Sequence, residues 1–215
     1  MELWEAIKKR RSVRQFQNRP VDQGLIMKVI EAGMWAPSAC NLQNWKFIVI
    51  DNQNLKEKLV DWGAAIFIKH APMAILVLYD NRTANIEYQD HIQSAAAAIQ
   101  NMLLAAISLE LGTCWICQLP TKGRLRKLLK IPSTYDPIAC IVIGYPAKEA
   151  KAVNRKGDME AMVSWNEFSG KSAEVNLLKV FIKRILLGIY YFLPVRVKKG
   201  INNFIDAHFV KKFPE

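Results

Sequence analysis

The chain has 215 residues, 51% of them apolar and 23% charged, which is enough for one substantial core and excludes a disordered or low-complexity class. Its formal charge of +11 suits a phosphate-bearing ligand, an anionic membrane surface or nucleic acid, without choosing among them. The excess is uneven: residues 171–215 hold nine Lys/Arg against three Asp/Glu, a net of +6, which marks a separable basic extension beyond a domain of residues 1–170.

In chain order, Leu3, Trp4 and Ile7 predict a short amphipathic helix that delivers the chain into Arg10-Arg11-Ser12-Val13-Arg14. Guanidinium forks match phosphate oxygens two at a time, although an isolated basic pentapeptide reads first as a solvated charge run. Asp22 is a candidate N-cap for a helix through Ile26, Val29, Ile30 and Gly33, ended by Ala36-Pro37-Ser38. Residues 46–50 predict a strand, and Asn52 opens a turn into a helix holding Leu55, Leu59 and Trp62. Residues 73–79 form a nearly continuous apolar strand, the pattern of a sheet centre.

Residues 88–111 carry helical spacing through Ile92, Ala95, Ile99, Met102, Leu103 and Ala106, with Gly112 expected as the C-terminal stop. The small-residue run 94–98 lets another backbone or a flat ligand approach closely, and equally suits a packed central helix. A strand over 113–119, a basic helix over 122–130 and a strand over 138–144 follow. Several connections are too short for parallel crossovers, so the fold class is α+β rather than doubly wound.

Several chemistries are excluded. GxGxxG is absent, and Gly170-Lys171-Ser172 fails as a P-loop because Trp165 stands where the first glycine is required. Cys114 and Cys117 form a CxxC, but positions three apart on a strand face opposite sides, and no second Cys or His pair has ligand spacing. A structural role for these cysteines is expected, with no metal site. His70, His91 and His208 are isolated, so no catalytic triad is expected and no general acid is named. Glu2 and Glu5 interrupt the first apolar positions, so a leader is not expected, and a cytoplasmic location with free thiols is.

The order of several segments resembles the nitroreductase family of FMN-dependent oxidoreductases. The residues that carry the resemblance are Arg10-Arg11-Ser12-Val13-Arg14, then Ala36-Pro37-Ser38-Ala39-Cys40-Asn41-Leu42-Gln43-Asn44-Trp45, then Gln100-Asn101-Met102 on the long helix. Leu111-Gly112-Thr113-Cys114-Trp115-Ile116, Ile143-Gly144-Tyr145-Pro146 and Arg155-Lys156 complete it, over residues 3 to about 168. The resemblance implies a central, mostly antiparallel sheet flanked by helices, with a helical C-terminal extension added.

It also implies a site. Arg10, Ser12 and Arg14 would hold the FMN phosphate and ribityl chain, with Arg11 adding a backbone or side-chain contact. Arg155 and Lys156 would return to the same phosphate. Pro37, Ser38, Ala39, Asn41 and Gln43 would contact the isoalloxazine ring from the second subunit of a homodimer, and Trp115, Ile116 and Cys117 would pass along the flavin edge. NAD(P)H would deliver hydride to the flavin, and a small acceptor such as a nitroaromatic or quinone would then take it from the same face. Within the family, dehydrogenation of a biosynthetic intermediate is the alternative, and a basic membrane-surface protein with a vestigial flavin site is the alternative from another class. Two positions depart from the family pattern: Asn44 where proline is frequent, and Cys117-Gln118 where glycines are frequent. Both bear on substrate preference.

Residues 171–215 lie outside the resemblance. Leu177 to Leu193 is heavily apolar, but its uncharged run 185–193 is well short of the roughly 20 residues that span a bilayer. After Pro194, Val197, Ile201, Phe204 and Ile205 keep helical spacing among lysines. Two readings stand: a peripheral membrane anchor, or an extension wrapping the partner subunit. The apolar bulk argues against specific nucleic-acid binding.

Overall fold

The computed structural model describes residues 1–82, 85, 87–150, 157–169, 176–194, 197, 200 and 201, without the side chains of 187, 191 and 192. The chain divides into two compact units, Met1–Ala150 and Lys151–Phe213. The boundary expected at 170 falls on a residue outside the described set, as do Arg155, Lys156 and residues 202–215.

The first unit is built on a four-stranded sheet of β1 (Trp45–Ile50), β2 (Met73–Asp80), β3 (Gly112–Ile116) and β4 (Tyr135–Gly144), in the order β1-β2-β4-β3. All three pairs are antiparallel, as the short connections required. The helices are α1 (Leu3–Lys9), α2 (Gln23–Met34), α3 (Gln53–Asp61), α4 (Asp90–Ser108) and α5 (Lys122–Leu129). Asp22 caps α2 by accepting from the Gly24 amide, as expected, and Asn52, expected to open the turn into α3, also caps that helix by accepting from the Leu55 amide.

Strand alternation divides the core into two layers. Ile75, Val77, Tyr79, Ile141 and Ile143 face α2 and α4, where Val29, Ala95, Ala98, Ile99 and Met102 meet them. Their neighbours Ala74, Leu76, Leu78, Cys140 and Val142 face Leu59 of α3, Ile68 of a 3₁₀ turn (Ile66–His70) and Leu125 of α5. β2 is therefore buried on both faces, which accounts for its unbroken apolar run. Gly33 permits close contact of α2 with α4, because a Cβ there would lie 2.8 Å from Met102 Cγ.

Three expected boundaries shift for identifiable reasons. β3 ends at Ile116 rather than 119, and the Gln118 carbonyl instead accepts from the Ala65 amide at 3.2 Å. β4 begins at Tyr135 rather than 138, because a register shift between Val77 and Leu78 accommodates Pro137 opposite Leu78. Gly112 is not the stop of the long helix; Glu110 takes the left-handed turn (φ 62°) and Gly112 is the first residue of β3.

At the sheet end where β2 finishes and β4 starts, Asp136 ties the layers together. It accepts from Arg126 at 2.5 Å, from Asn81 at 3.0 Å and from Lys122, with His91 Nε2 of α4 at 4.0 Å. Burial works to raise its pKa, but the Lys122 and Asn81 hydrogen bonds and the Lys122 and Arg126 charges hold the carboxyl below its ordinary value.

The second unit, taken by itself, contains α6 (Met159–Met162) and α7 (Leu177–Phe192), the latter capped by Asn176. The described residues 197, 200 and 201 are helical. Among the described residues no helix is long and apolar enough to cross a membrane.

Candidate functional site

The arginine stretch leaves α1 at Arg10, whose extended ψ of 125° turns the chain alongside β3. Ser12 pairs with Thr113 in a parallel bridge, and the Val13 amide donates to the Thr113 carbonyl at 2.8 Å. This closeness depends on Gly112, because a Cβ there would sit 2.9 to 3.0 Å from three atoms of the Val13 side chain. The stretch is therefore held against the β3 edge by one bridge and one hydrogen bond, not a free charge run.

The stretch sets the electrostatics of one strand residue. Burial raises the Cys114 thiol pKa, while the Arg14 charge, a hydrogen bond with Ser12 and the Arg10 charge pull it down. Arg10, Ser12 and Arg14 therefore all act on the electrostatics of this one residue of β3. The Arg14 guanidinium also lies 5.6 Å from the centre of the Phe67 ring, which limits its freedom. Arg11 turns back on its own helix, with Nη1 donating to the carbonyls of Lys8 at 2.6 Å and Arg10 at 2.8 Å. Its Nε is buried and has no hydrogen-bond partner among the described residues. Two guanidinium groups and a hydroxyl on one edge, with a further N–H unpaired, form a donor set that fits the phosphate end of FMN.

The second expected motif is a strained loop. Cys40 (φ 49°), Asn41 (φ 55°) and Gln43 (φ 52°) all adopt the left-handed region without a glycine among them. Each such residue costs on the order of 1–3 kcal/mol and persists only where its surroundings enforce it. Here hydroxyls enforce it. Ser94 Oγ on α4 accepts from the Ala39 amide at 3.0 Å while donating to the Asp90 carbonyl at 2.8 Å. Ser38 Oγ accepts from the Gln43 amide at 3.0 Å, and Gln43 Nε2 donates to Asn41 Oδ1 at 2.7 Å. Pro37, Asn41 and Gln43 are left exposed, with Ser38 and Ala39 half-buried. Such a pre-ordered, polar surface suits a flat heteroaromatic ring.

Trp115, Ile116 and Cys117 stand where the chain leaves β3. Ile116 is buried in the lower core layer, so only its backbone could meet a ligand. Trp115 is half-buried against the upper layer with its Nε1 unpartnered among the described residues, and Cys117 is exposed. Cys114 is buried and Cys117 exposed, and both are free thiols; because β3 ends at Ile116, Cys117 lies beyond the strand and the expected alternation does not apply to the pair. Among the described residues no cluster of His, Cys, Asp or Glu could hold a metal.

One chain does not bring the two motifs together. The loop enters β1 at Trp45, which pairs with Tyr79, itself opposite Asp136; the arginine stretch borders Thr113, opposite Ile143. Three strand spacings and seven residues of β4 separate these corners, on the order of 25 Å. Arg155 and Lys156 lie outside the described residues. Phe67, which packs against Arg14, had no mark in the sequence, whereas Ser94, which anchors the loop, opens the small-residue run 94–98 expected to admit another backbone. A cavity of about 590 Å³ lies elsewhere, against residues 16–21 and the 3₁₀ turn. Lys56 there is buried and satisfied by the Ala71 and Pro72 carbonyls at 2.6 and 3.0 Å, and burial lowers its pKa.

Comparison with known proteins bears on this geometry. The sequence model of the nitroreductase family matches residues 7–69 and 60–145. A protein of Methanothermobacter thermautotrophicus, whose name includes NADH dehydrogenase/NAD(P)H nitroreductase, is 40% identical over 154 residues, 69% of this chain and 79% of that one. Among solved structures, an FMN-dependent nitroreductase of Clostridium difficile R20291 matches with a TM-score of 0.67 at 32% identity, over 76% of this chain and 98% of that one. A Desulfovibrio desulfuricans chain solved in complex with FMN matches with a TM-score of 0.64 at 29% identity, over 78% of this chain and 98% of that one.

Proposed function

The chain belongs to the nitroreductase family, and on that premise we propose that it is an FMN-dependent oxidoreductase that draws electrons from NAD(P)H. The observation that carries this reading is the placement of the Arg10–Arg14 stretch against β3, held by the Ser12–Thr113 bridge and the Val13–Thr113 hydrogen bond. Bound FMN supplies the redox chemistry, accepting reducing equivalents from a nicotinamide and passing them to an acceptor. The chain supplies position and charge. Arg10 and Arg14 offset the phosphate dianion, Ser12 donates its hydroxyl, and Arg11 Nε offers a further buried donor. Arg155 and Lys156 join them on the strength of the sequence motif alone.

The ring end of the cofactor takes Pro37, Ser38, Ala39, Asn41 and Gln43 from a second copy. Two observations favour such a homodimer. The corner-to-corner separation within one chain leaves each motif incomplete, and the outer faces of α1 and α2 expose Leu3, Trp4, Met27, Met34 and Trp35. Trp115, Ile116 and Cys117 line the ring edge, where Cys117 and Gln118 present side chains and thereby narrow the acceptor space to small molecules such as nitroaromatics or quinones. No protein group is assigned as proton donor. A cytoplasmic enzyme fits these features.

Colour provides the test. Purified protein, or protein reconstituted with FMN, should be yellow, and NAD(P)H should bleach it without oxygen, with colour restored by a quinone or nitroaromatic. Protein that stays colourless after reconstitution would refute the reading. Colour unaffected by either nicotinamide would transfer the electron supply to another donor, as in dehydrogenation of a biosynthetic intermediate.

A further inference from the structure

Helix α7 has a composition the catalytic domain does not call for. The family match ends at residue 145, and the Clostridium difficile structure is covered to 98% while accounting for only 76% of this chain. None of the described side chains of α7 is buried. Leu178, Phe181, Ile182, Ile185, Leu186 and Ile189 fall at i, i+3, i+4, i+7, i+8 and i+11, so they form one continuous stripe. All six are between 46 and 66% exposed.

Charge distribution narrows what could cover that stripe. Residues 177–192 contain Lys179, Lys183 and Arg184 and no acid. At about 100° per residue, Lys179 and Lys183 lie along one margin of the stripe and Arg184 beyond the other. Among the described residues none of the three is ion-paired, and Asp158, Glu160 and Glu167 of the same unit do not reach them. Pairing with the same helix of a second copy would set like charges against each other across the seam. A surface that is apolar inside and anionic at its rim would satisfy both the stripe and its margins. At about 1.5 Å per residue the 16-residue helix is roughly 24 Å long, too short and too charged to span a hydrocarbon core of about 30 Å. It can lie flat in the headgroup region.

We propose that α7 docks the protein onto an anionic lipid bilayer, with the 178/181/182/185/186/189 stripe inserted among the acyl chains and Lys179, Lys183 and Arg184 at the phosphate level. This goes beyond the oxidoreductase reading and does not depend on it.

The test is flotation of the full-length, flavin-loaded protein with phosphatidylcholine vesicles that contain or lack phosphatidylglycerol, at low and high salt. The wild type should float with the anionic vesicles, weakly with the neutral ones, and less at high salt. Neutralising the cations in Lys179→Gln/Lys183→Gln/Arg184→Gln should reduce partitioning by on the order of 100-fold, about five-fold per charge. Phe181→Ser/Ile185→Ser should abolish it with flavin content unchanged. Wild-type protein that fails to float, or that floats equally with neutral vesicles at any salt, overturns the proposal, and these arms need no variant to fold. So does a charge-neutral variant that floats as well as wild type. Conversion of the oligomer to monomer by Phe181→Ser/Ile185→Ser would also overturn it, because the stripe would then be covered by a second copy.

Discussion

Replacing Gly112 by alanine should loosen the phosphate end of the site without touching any residue expected to contact it. A Cβ at this position would lie 2.9 Å from Val13 Cβ, 2.9 Å from Cγ2 and 3.0 Å from Cγ1. Carbon atoms in ordinary contact are about 3.5–4.0 Å apart, so the shortfall is more than half an ångström. No rotation of Val13 relieves it, because its Cβ is itself one of the three atoms. The 12–14 segment must retreat from β3, stretching the 2.8 Å bond from the Val13 amide to Thr113 and carrying Ser12 and Arg14 with it. Overpacking of this kind costs roughly 1–3 kcal/mol. With each 1.4 kcal/mol equal to a tenfold change, FMN affinity should fall by on the order of tenfold. Fluorescence titration of the apoprotein with FMN measures the affinity, and urea denaturation measures the stability. Gly123→Ala is the control: a Cβ there meets nothing within 4 Å, so stability should be unchanged or slightly raised and FMN affinity unaffected. A Gly112→Ala protein that matches wild type in both measurements would refute the placement of the arginine stretch against β3.

Two further outcomes follow from the buried groups. Asp136→Asn should destabilise the protein by about 3 kcal/mol at neutral pH, the low end for a broken buried ion pair because Lys122 is half exposed. The folded-state pKa of Asp136 is lowered, so its stabilisation is present above the unfolded value of about 3.9 and is lost as pH falls through the folded one. The gap between wild type and variant in denaturation midpoint should therefore close below about pH 4; a constant gap would count against the charge-based account. Thiol labelling of the native protein should modify the exposed Cys40 and Cys117 well before the buried Cys114 and Cys140. Burial pushes the Cys140 thiol up to about 12, so mass mapping that finds Cys140 labelled early would contradict its place between the sheet and α3/α5.

Much of the fold was legible because local chemistry and tertiary packing agreed. Asp22 and Asn52 cap the helices their positions announce, and the unbroken apolar run of β2 is the strand buried on both faces. Where reading failed, a distant contact decided. Gly112 looks like a helix stop, yet its role is to admit Val13, sequence-distant by 99 positions. Pro137 argues against a strand until the bulge at Val77/Leu78 is seen. The candidate site divides the same way. The arginine stretch and the residues 37–43 were visible as motifs, but the left-handed backbone at Cys40, Asn41 and Gln43 was not, because none is glycine and the hydroxyl of Ser94 enforces it from another helix. The apolar stripe of α7 was visible in spacing alone, because helical periodicity over 177–192 is a local property.

The central claim is that Arg10, Ser12 and Arg14 form a phosphate pocket, and comparing FMN with riboflavin tests it most directly, because the two ligands differ only in that phosphate. Wild-type apoprotein should bind FMN far more tightly than riboflavin. Arg14→Ala should lose about 1.5–3 kcal/mol toward FMN, roughly 10- to 100-fold, the range for a charge-assisted hydrogen bond, with riboflavin affinity unchanged. Equal weakening toward both ligands, or no weakening toward FMN, would contradict the account and return Arg14 to the surface.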